Sequence, residues 1–240
     1  MQPSDVTLVD TAYRKLREDI LAGRKAAGER LRVEHLRVEY GVGSTPLREA
    51  LSRLSSESLV QSVGQRGFRV ASVSLEELED VTEMRVLLEN DALARSIERG
   101  TLEWESSVVA AHHTIRKLDA LAPGGDSAQF ALREEKNEAF HAALVAACGS
   151  PWLLRMRNTL YDQHRRYRWM AIELHSETRD LAKEHADLVD AVLARDTKRA
   201  IELNADHIRE TAHVIRKSIA SKLGHEPKKR AVKGTRGETP

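Results

Sequence analysis

Four polar side chains in the second half of the chain have the types and the spacing of a metal site. Asn137 and His141 are four residues apart, so both would project from one face of a helix. His185 shares a helical stripe with aliphatic residues and His207 adjoins another, which predicts that both lie at or near a buried face. Neutral imidazoles suit zinc, nickel and other first-row divalent ions, and three of them leave positions open for water or a carboxylate. Histidines on three helices could therefore converge between those helices, where they could hold a divalent metal ion.

Hydrogen-bonded core histidines are the alternative interpretation of the same residues. A single histidine on an apolar face is more often a packing residue than a metal ligand, so only the joint pattern of three favours a metal. The other histidines, including His112, His113 and His164, show no comparable arrangement and are interpreted as surface or packing residues.

Residues 40–54 have the pattern of a DNA-recognition helix. Two glycines near its start predict a tight turn, since glycine adopts positive φ without a Cβ clash. Thr45 and Pro46 have the types of an N-cap and a first helical residue, where the missing N–H of proline costs nothing. Leucine and alanine recur at helical spacing on one face, and Arg48 lies on the opposite, polar face. A helix with an apolar back and an arginine-bearing front is typical of a helix that reads the major groove.

The elements around this helix predict a winged helix-turn-helix in residues 1–74. Two further helices are expected before it, near residues 7–22 and 33–40. After it the pattern alternates, and Gly64 and Gly67 flank a turn, which indicates a two-stranded hairpin with Arg66 at its tip. Three helices followed by a hairpin are the elements of a winged helix-turn-helix.

From Ser74 onward the strand pattern disappears, and six helices are predicted. Ser74 and Glu77 have the spacing of a capping box, and Gly100 is placed to end the helix that follows. The other five helices are expected near 102–121, 127–148, 151–174, 177–194 and 197–220. Residues 75–220 are therefore predicted to form an all-α bundle, which makes the fold class mainly α. Residues 221–240 are basic and lack apolar periodicity, which predicts a disordered tail.

The composition favours a cytoplasmic protein with an anionic partner. The single cysteine, Cys148, allows no internal disulfide, and no stretch of the 240 residues is long and apolar enough to span a bilayer. The N-terminus also lacks the features of a signal peptide. The formal net charge is +1, but positive and negative residues are unevenly distributed along the chain. Residues 1–74 carry 12 Lys/Arg and 9 Asp/Glu, and residues 221–240 carry 6 and 2. Residues 75–220 carry 20 Lys/Arg and 26 Asp/Glu. Two basic ends around an acidic middle indicate that the ends meet an anion such as DNA.

Both halves together resemble a GntR-family transcription regulator of the FadR type, with a C-terminal FCD effector domain. The resemblance covers residues 8–215 and is carried by Tyr13, Ile20, Gly23, Gly28, Arg30, Leu31, Leu36, Gly41, Val42, TPLREAL at 45–51, Arg53, Leu54, Leu59, Val60, Gly67, Arg85, Leu88, Glu89, NEAFH at 137–141, Glu184, His185 and His207. It implies a homodimer that binds a palindromic operator in double-stranded DNA, most often as a repressor. It also implies that a small carboxylate effector in the second half modulates DNA binding.

The resemblance assigns roles to individual residues. Thr45 and Arg48 would touch DNA from the recognition helix, and Arg66 and Gly67 would approach the backbone or the minor groove. Arg85 is a candidate to meet the effector carboxylate, because its planar guanidinium matches that group. The metal ligands would be Asn137, His141, His185 and His207.

Two basic features in the second half of the chain, Arg85 and the segment 165–170, have alternative interpretations. Arg85 lies among apolar residues of its helix, and an ion pair with a neighbouring acid is the alternative to effector binding. The basic segment at 165–170 either lines the same cavity or only exposes its charges to solvent.

The chain departs from the family pattern at two positions. The family usually has Ser-Arg before Thr-Pro, whereas this chain has Gly43 and Ser44. A well-placed arginine–guanine contact discriminates by roughly 1–3 kcal/mol, so Ser44 predicts a different half-site or a less sharp reading. The usual first metal ligand is Asp, and here Asn137 supplies a neutral amide that should weaken metal binding.

Three other functions are compatible with part of the sequence. A metallohydrolase would use the three histidines to activate water, but no acid stands out as a general base and the winged domain would be unexplained. A metal sensor would treat the ion itself as the signal. A chromosome-associated protein without an effector would bind DNA without regard to sequence.

Overall fold

The chain is mostly helical in the computed structural model, which describes residues 7–64, 67–119, 127–171 and 179–222. The elements are α1 (Leu8–Leu21), β1 (Arg30–Leu31), α2 (Val33–Tyr40), α3 (Ser44–Ser56), β2 (Val60–Ser62), β3 (Phe68–Val70), α4 (Leu75–Arg99), α5 (Leu102–Asp119), α6 (Ser127–Val145), α7 (Pro151–Met170), α8 (Leu181–Leu193) and α9 (Thr197–Lys222). This order confirms the predicted fold class, a winged helix-turn-helix followed by an all-α part. None of the described helices combines the length and the apolar character that crossing a membrane requires.

The first three helices pack around a leucine-rich core. Thr7 caps α1 by accepting a hydrogen bond from the Asp10 N–H at 3.1 Å, and α2 ends at Gly41, which has a φ of 66°. The fully buried side chains of this core come mainly from one face each of α1 and α3: Ala12, Leu16, Leu21, Leu47, Ala50, Leu51 and Leu54. Burial of this face holds α3 against α1 and leaves its polar side outward.

The start of α3 corrects one prediction. The helix begins at Ser44, and its N-cap is Gly43 in an extended conformation with no side-chain cap hydrogen bond, so the prediction of Thr45 as N-cap is wrong. Pro46 lies within the first turn, where no intrahelical partner is available for an N–H in any case. Ser44 and Thr45 therefore lie on the first turn of α3.

The described residues form one sheet of three strands, so the prediction of a two-stranded hairpin is incomplete. Strands β2 and β3 pair antiparallel as expected, and β1 adds to the other edge of β3 with Leu31 opposite Phe68. A two-residue strand shows no alternation, which is why its sequence did not predict it. The predicted wing tip, Arg66, lies outside the described residues.

Helices α4 to α9 match the six predicted helices, with differences at their ends. Ser74 caps α4 as predicted, since its Oγ accepts from the Glu77 N–H at 3.0 Å. Helix α6 ends three residues early, because a turn from Cys148 N–H to Val145 O leads into Gly149 with a φ of 71°. Helix α9 continues to Lys222, two residues into the predicted tail, and the predicted ends at 121 and 174, the predicted start at 177 and residues 223–240 lie outside the described residues.

Polar contacts join the winged part to the C-terminal half of α7. Asp162 pairs with Arg17 of α1, and Arg165 Nη2 lies 3.1 Å from Glu18 Oε1 of the same helix. Burial raises the pKa of the Asp162 carboxyl to about 6, although the Arg17 guanidinium opposes the shift. A buried ion pair of this kind can fix the relative position of two helices even when its desolvation penalty exceeds the Coulombic attraction between the charges.

The raised pKa predicts how stability depends on pH at this contact. The Asp162 carboxyl binds a proton near pH 6 when folded and near pH 4 when unfolded, so the folded chain holds more protons between those values. The free energy of unfolding should therefore rise by about 1–2 kcal/mol as pH falls from 8 to 5, because protonation removes the desolvation cost of the charged carboxylate. Urea unfolding at both pH values should show Asp162→Asn gaining stability over the parent at pH 8 and losing about half of that gain at pH 5. An equal difference at both values would contradict the assignment.

Candidate DNA interface and three-histidine site

A basic cleft opens between α2, α3 and the wing. Its volume is about 550 Å³, and its walls include Arg30, Arg32, His35, Arg48, Ser62, Gly64 and Gly67. Thr45 and Arg48 are exposed on the front of α3, and Ser44 is half-buried beside them. The structure thus brings the predicted Arg48 and Gly67 to one surface, and it adds Arg32 and His35, which sequence reasoning did not single out.

Backbone conformation explains the wing glycines. Gly64 and Gly67 have φ angles of 53° and 90°, and the Val63 N–H donates to Gly67 O at 2.8 Å to close the base of the turn. A Cβ at either glycine would meet nothing within 4 Å, so the conformation, and not lack of space, requires glycine. A wing of this kind presents its backbone to whatever enters the cleft.

The three predicted histidines meet in the interior of the all-α part. His141 comes from α6, His185 from α8 and His207 from α9. Each offers one nitrogen that lies within 4.8 Å of those of the other two, and the closest ring centroids are 5.0 Å apart. His141 and His185 are buried, and the His207 side chain is 10% exposed. The convergence that the sequence predicted for histidines on three separate helices is therefore present.

Two carboxylates orient the histidine rings. Asp119 Oδ2 lies 2.8 Å from His185 Nδ1, and Glu184 Oε2 lies 2.8 Å from His207 Nδ1. A carboxylate on Nδ1 fixes the tautomer and leaves Nε2 as the free, basic nitrogen, which is the usual support of a metal-bound histidine. Sequence reasoning missed both acids as parts of the site, and the only available signal was that Glu184 is next to His185.

Unsatisfied ring nitrogens show that the residues fit a metal ion. Among the described residues, neither His141 Nδ1 nor His185 Nε2 has a hydrogen-bond partner, and both atoms are buried. An orphaned buried polar atom is costly unless something binds it. Burial also lowers the pKa of His207 to about 4 and that of His141 well below its usual value, so both are neutral at pH 7. Neutral imidazole is the form that ligates a metal.

Asn137 lies beside the cluster as the predicted fourth donor. Its Nδ2 donates to the Tyr161 hydroxyl at 2.9 Å, and Asn137 lines a cavity of about 90 Å³ together with His141 and His207. Asn137 is uncharged, and the carboxylates of Asp119 and Glu184 contact the cluster through His185 and His207.

Arginines dominate the walls of the same cavity. Arg85, Arg133, Arg168 and Arg179 line it, against the acids Asp119 and Glu134. Arg85 makes the ion pair that the sequence left as an alternative, with its Nη2 2.7 Å from Glu89 Oε1, and it also lies on the cavity wall. Within the basic segment, Arg168 lines the cavity, whereas Arg165 and Arg166 are buried against other parts of the chain. Neither interpretation of 165–170 therefore holds for the whole segment.

Comparison with known proteins shows which family the chain belongs to. The model for bacterial regulatory proteins of the gntR family matches residues 8–70, and the FCD domain model matches residues 80–210. The chain belongs to the GntR family and carries an FCD domain. It is a transcriptional regulator, with a DNA-binding helix-turn-helix and an effector domain, and it is not an enzyme.

Similar proteins from bacteria agree with this assignment. The chain is 40% identical over 224 residues to the HTH-type transcriptional repressor GlaR of Escherichia coli, covering 90% of this chain and 98% of GlaR. It is 39% identical to the HTH-type transcriptional regulator BphR of Paraburkholderia xenovorans, covering 88% and 86%. The structure of E. coli McbR/YncC shares the fold with a TM-score of 0.76 at 22% identity, over 89% of this chain and 99% of that one.

The GntR and FCD parts each contain one of the two candidate sites. The basic cleft lies in the GntR part, and the three histidines with their arginine-lined cavity lie in the FCD part. The exact boundaries at 74 and 220 stay predictions.

Proposed function

We propose that this GntR-family regulator is a cytoplasmic homodimer that represses transcription from a palindromic operator in double-stranded DNA. A small carboxylate effector, bound in the FCD part beside a divalent metal ion, modulates that binding. The single observation that carries the DNA-binding proposal is the position of Arg48, exposed on α3 at the cleft formed with the wing.

The shape of this surface supports the DNA contacts that we propose. Arg48 reads a base edge in the major groove, and Ser44 and Thr45 contact DNA from the first turn of α3. Gly67 and Arg66 approach the backbone or minor groove from the wing. One winged domain reads only a short half-site, so two copies related by a two-fold axis supply the specificity.

The metal proposal rests on His141, His185 and His207, with Asn137 as a possible neutral donor. Zinc and nickel suit an imidazole-rich site of this kind. When bound, the ion supplies positive charge and an open position that a ligand oxygen can fill. The chain's own contribution is to orient the rings of His185 and His207 through Asp119 and Glu184.

The effector proposal rests on the arginines of the cavity. Arg85 has Glu89 as a partner and Arg168 has Glu134, whereas Arg133 donates to the main-chain oxygen of Leu118. Arg179 pairs with Glu184, so Arg133 is the wall arginine without an acid partner among the described residues, and its guanidinium favours a small carboxylate.

Metal binding is predicted to depend on His141. Zinc added to chelator-treated protein should bind with a dissociation constant at least 100-fold tighter in the parent chain than in His141→Ala, measured by competition with a chromogenic chelator. His113→Ala is the matched control, because His113 is exposed on α5 and should leave zinc affinity unchanged. Equal affinity in all three proteins would overturn the metal site without affecting the DNA-binding proposal.

Titration of the purified chain with DNA from its own promoter region tests the regulator proposal. We expect saturable binding of one symmetric site by a dimer, with the stoichiometry measured by sedimentation of the complex. Binding that ignores sequence would favour a chromosome-associated protein instead. Binding that a chelator alone abolishes or restores would favour a metal sensor.

A further inference from the structure

Helix α7 contains a buried polar segment that neither the DNA-binding surface nor the metal site explains. Residues 161–167 are all at most 7% exposed, although the segment contains Asp, Gln, His and two Arg. A helix with charged residues buried on every face must have partners on every face. The partners lie in the two halves of the protein.

One face of the segment belongs to the effector cavity. Arg168 lines the cavity, its Nε donates to Glu134 Oε2 at 2.9 Å, and its Nη1 lies 3.1 Å from His164 Nδ1. Tyr161 is two turns before Arg168 on the same face, and its hydroxyl accepts a hydrogen bond from Asn137 of the candidate metal site. This face of α7 therefore meets both the cavity and the donor cluster.

The other face holds the recognition helix. Gln163 Nε2 donates at 2.9 Å to the main-chain oxygen of Glu57, the C-cap residue of α3. Asp162 pairs with Arg17, whose Nε lies 3.4 Å from the Glu57 carboxylate. Arg166 donates to the main-chain oxygen of Ala71, in the segment between β3 and α4. The end of α3 is thus fixed to α7 through its backbone and through its side chain.

We propose that residues 161–168 of α7 couple occupation of the arginine-lined cavity to the orientation of the recognition helix. The proposal rests on the proposed effector site. A carboxylate that binds Arg168 competes with Glu134, which frees the end of α7 from α6. Gln163 is fewer than two turns away on the same helix, and it passes the displacement to the C-terminal end of α3. The two arrangements of α7 differ in their affinity for the anion, which is what a shift in population requires.

Hydrogen exchange of the full chain tests this coupling without an identified effector. Arg168→Met removes the cavity-side contact of α7 and should speed amide exchange in the last turn of α3 (residues 53–57) by at least fivefold. Arg133→Met is the matched control, because Arg133 lines the same cavity from α6 and bonds Leu118 O, so α3 should change less than twofold. Glu134→Gln weakens the same contact from α6 without altering α7, and it should act like Arg168→Met. Glu134→Gln also provides the test of the coupling if Arg168→Met does not fold.

A double substitution separates coupling from general loosening. In a Gln163→Met, Asp162→Asn background, where both contacts from α7 to the end of α3 are missing, Arg168→Met should no longer change exchange in residues 53–57 by more than twofold. An effect of Arg168→Met that persists in this background, or one that Arg133→Met reproduces, would overturn the proposal. The exchange measurement uses no DNA and no effector, so failure of the proposed function would appear separately, as absence of operator binding.

Discussion

Replacing Arg48 with alanine should weaken operator binding at least 100-fold while leaving the fold intact. The side chain is exposed on α3, and the buried Leu47 and Leu51 on the opposite face hold the helix without it. A well-placed arginine contact with a base is worth ~1–3 kcal/mol, and a two-fold dimer makes it twice, so ~2–6 kcal/mol is lost. A loss of 100-fold corresponds to about 2.7 kcal/mol, within that range. Gel-shift titration at fixed salt measures the change.

Arg37→Ala is the matched control for Arg48→Ala. Arg37 is also exposed in the winged part, and its Nη1 lies 2.9 Å from Glu34 in a surface ion pair on α2. A surface pair of this kind contributes little to stability, so this variant should bind the operator within about twofold of the parent. Unchanged affinity of Arg48→Ala, or an equal loss in both variants, would contradict the assignment of α3 as the reading helix.

Local chemistry predicted most of the fold. The Ser74 cap and the glycine that ends α2 are signals carried by one or two residues, and both lie where expected. The errors fall where a tertiary partner decides the structure. Strand β1 forms only because β3 offers it an edge, and Gly43 replaces Thr45 as N-cap because its extended backbone starts the helix two residues earlier. Neither the edge of a neighbouring strand nor the extended backbone of a cap residue leaves a periodic pattern in the sequence.

The sequence likewise predicted one part of the candidate site and missed another. Apolar stripes predicted the buried faces that carry His185 and His207, and the family resemblance added the expectation that both meet His141, which they do. The supporting acids and arginines were not predictable from periodicity, since a charged residue on a helix normally faces solvent. The segment 161–168 is the strongest case, because its polar residues are buried on both sides by partners more than 20 residues away.

Glu89→Gln should lower the free energy of unfolding by about 3–5 kcal/mol, the usual result of leaving a buried charge without its partner. The Glu89 carboxylate, 1% exposed, lies 2.7 Å from Arg85 Nη2 and 3.5 Å from Arg157 Nη2. Burial raises the pKa of Glu89, but the two guanidinium groups outweigh it, so the group stays ionised and its pKa is lowered. Glutamine keeps the shape and removes the charge that both arginines share.

Urea denaturation at pH 7 measures this loss, with Asp91→Asn as the control. Asp91 lies on the same helix, but its pair with Arg95 is exposed, so its loss should cost less than about 1 kcal/mol. Equal stabilities of Glu89→Gln and Asp91→Asn would mean that water or another anion already neutralises Arg85 and Arg157. The expected difference instead makes Glu89 the group that keeps Arg85 charged and in place on the cavity wall, as the proposed effector site requires.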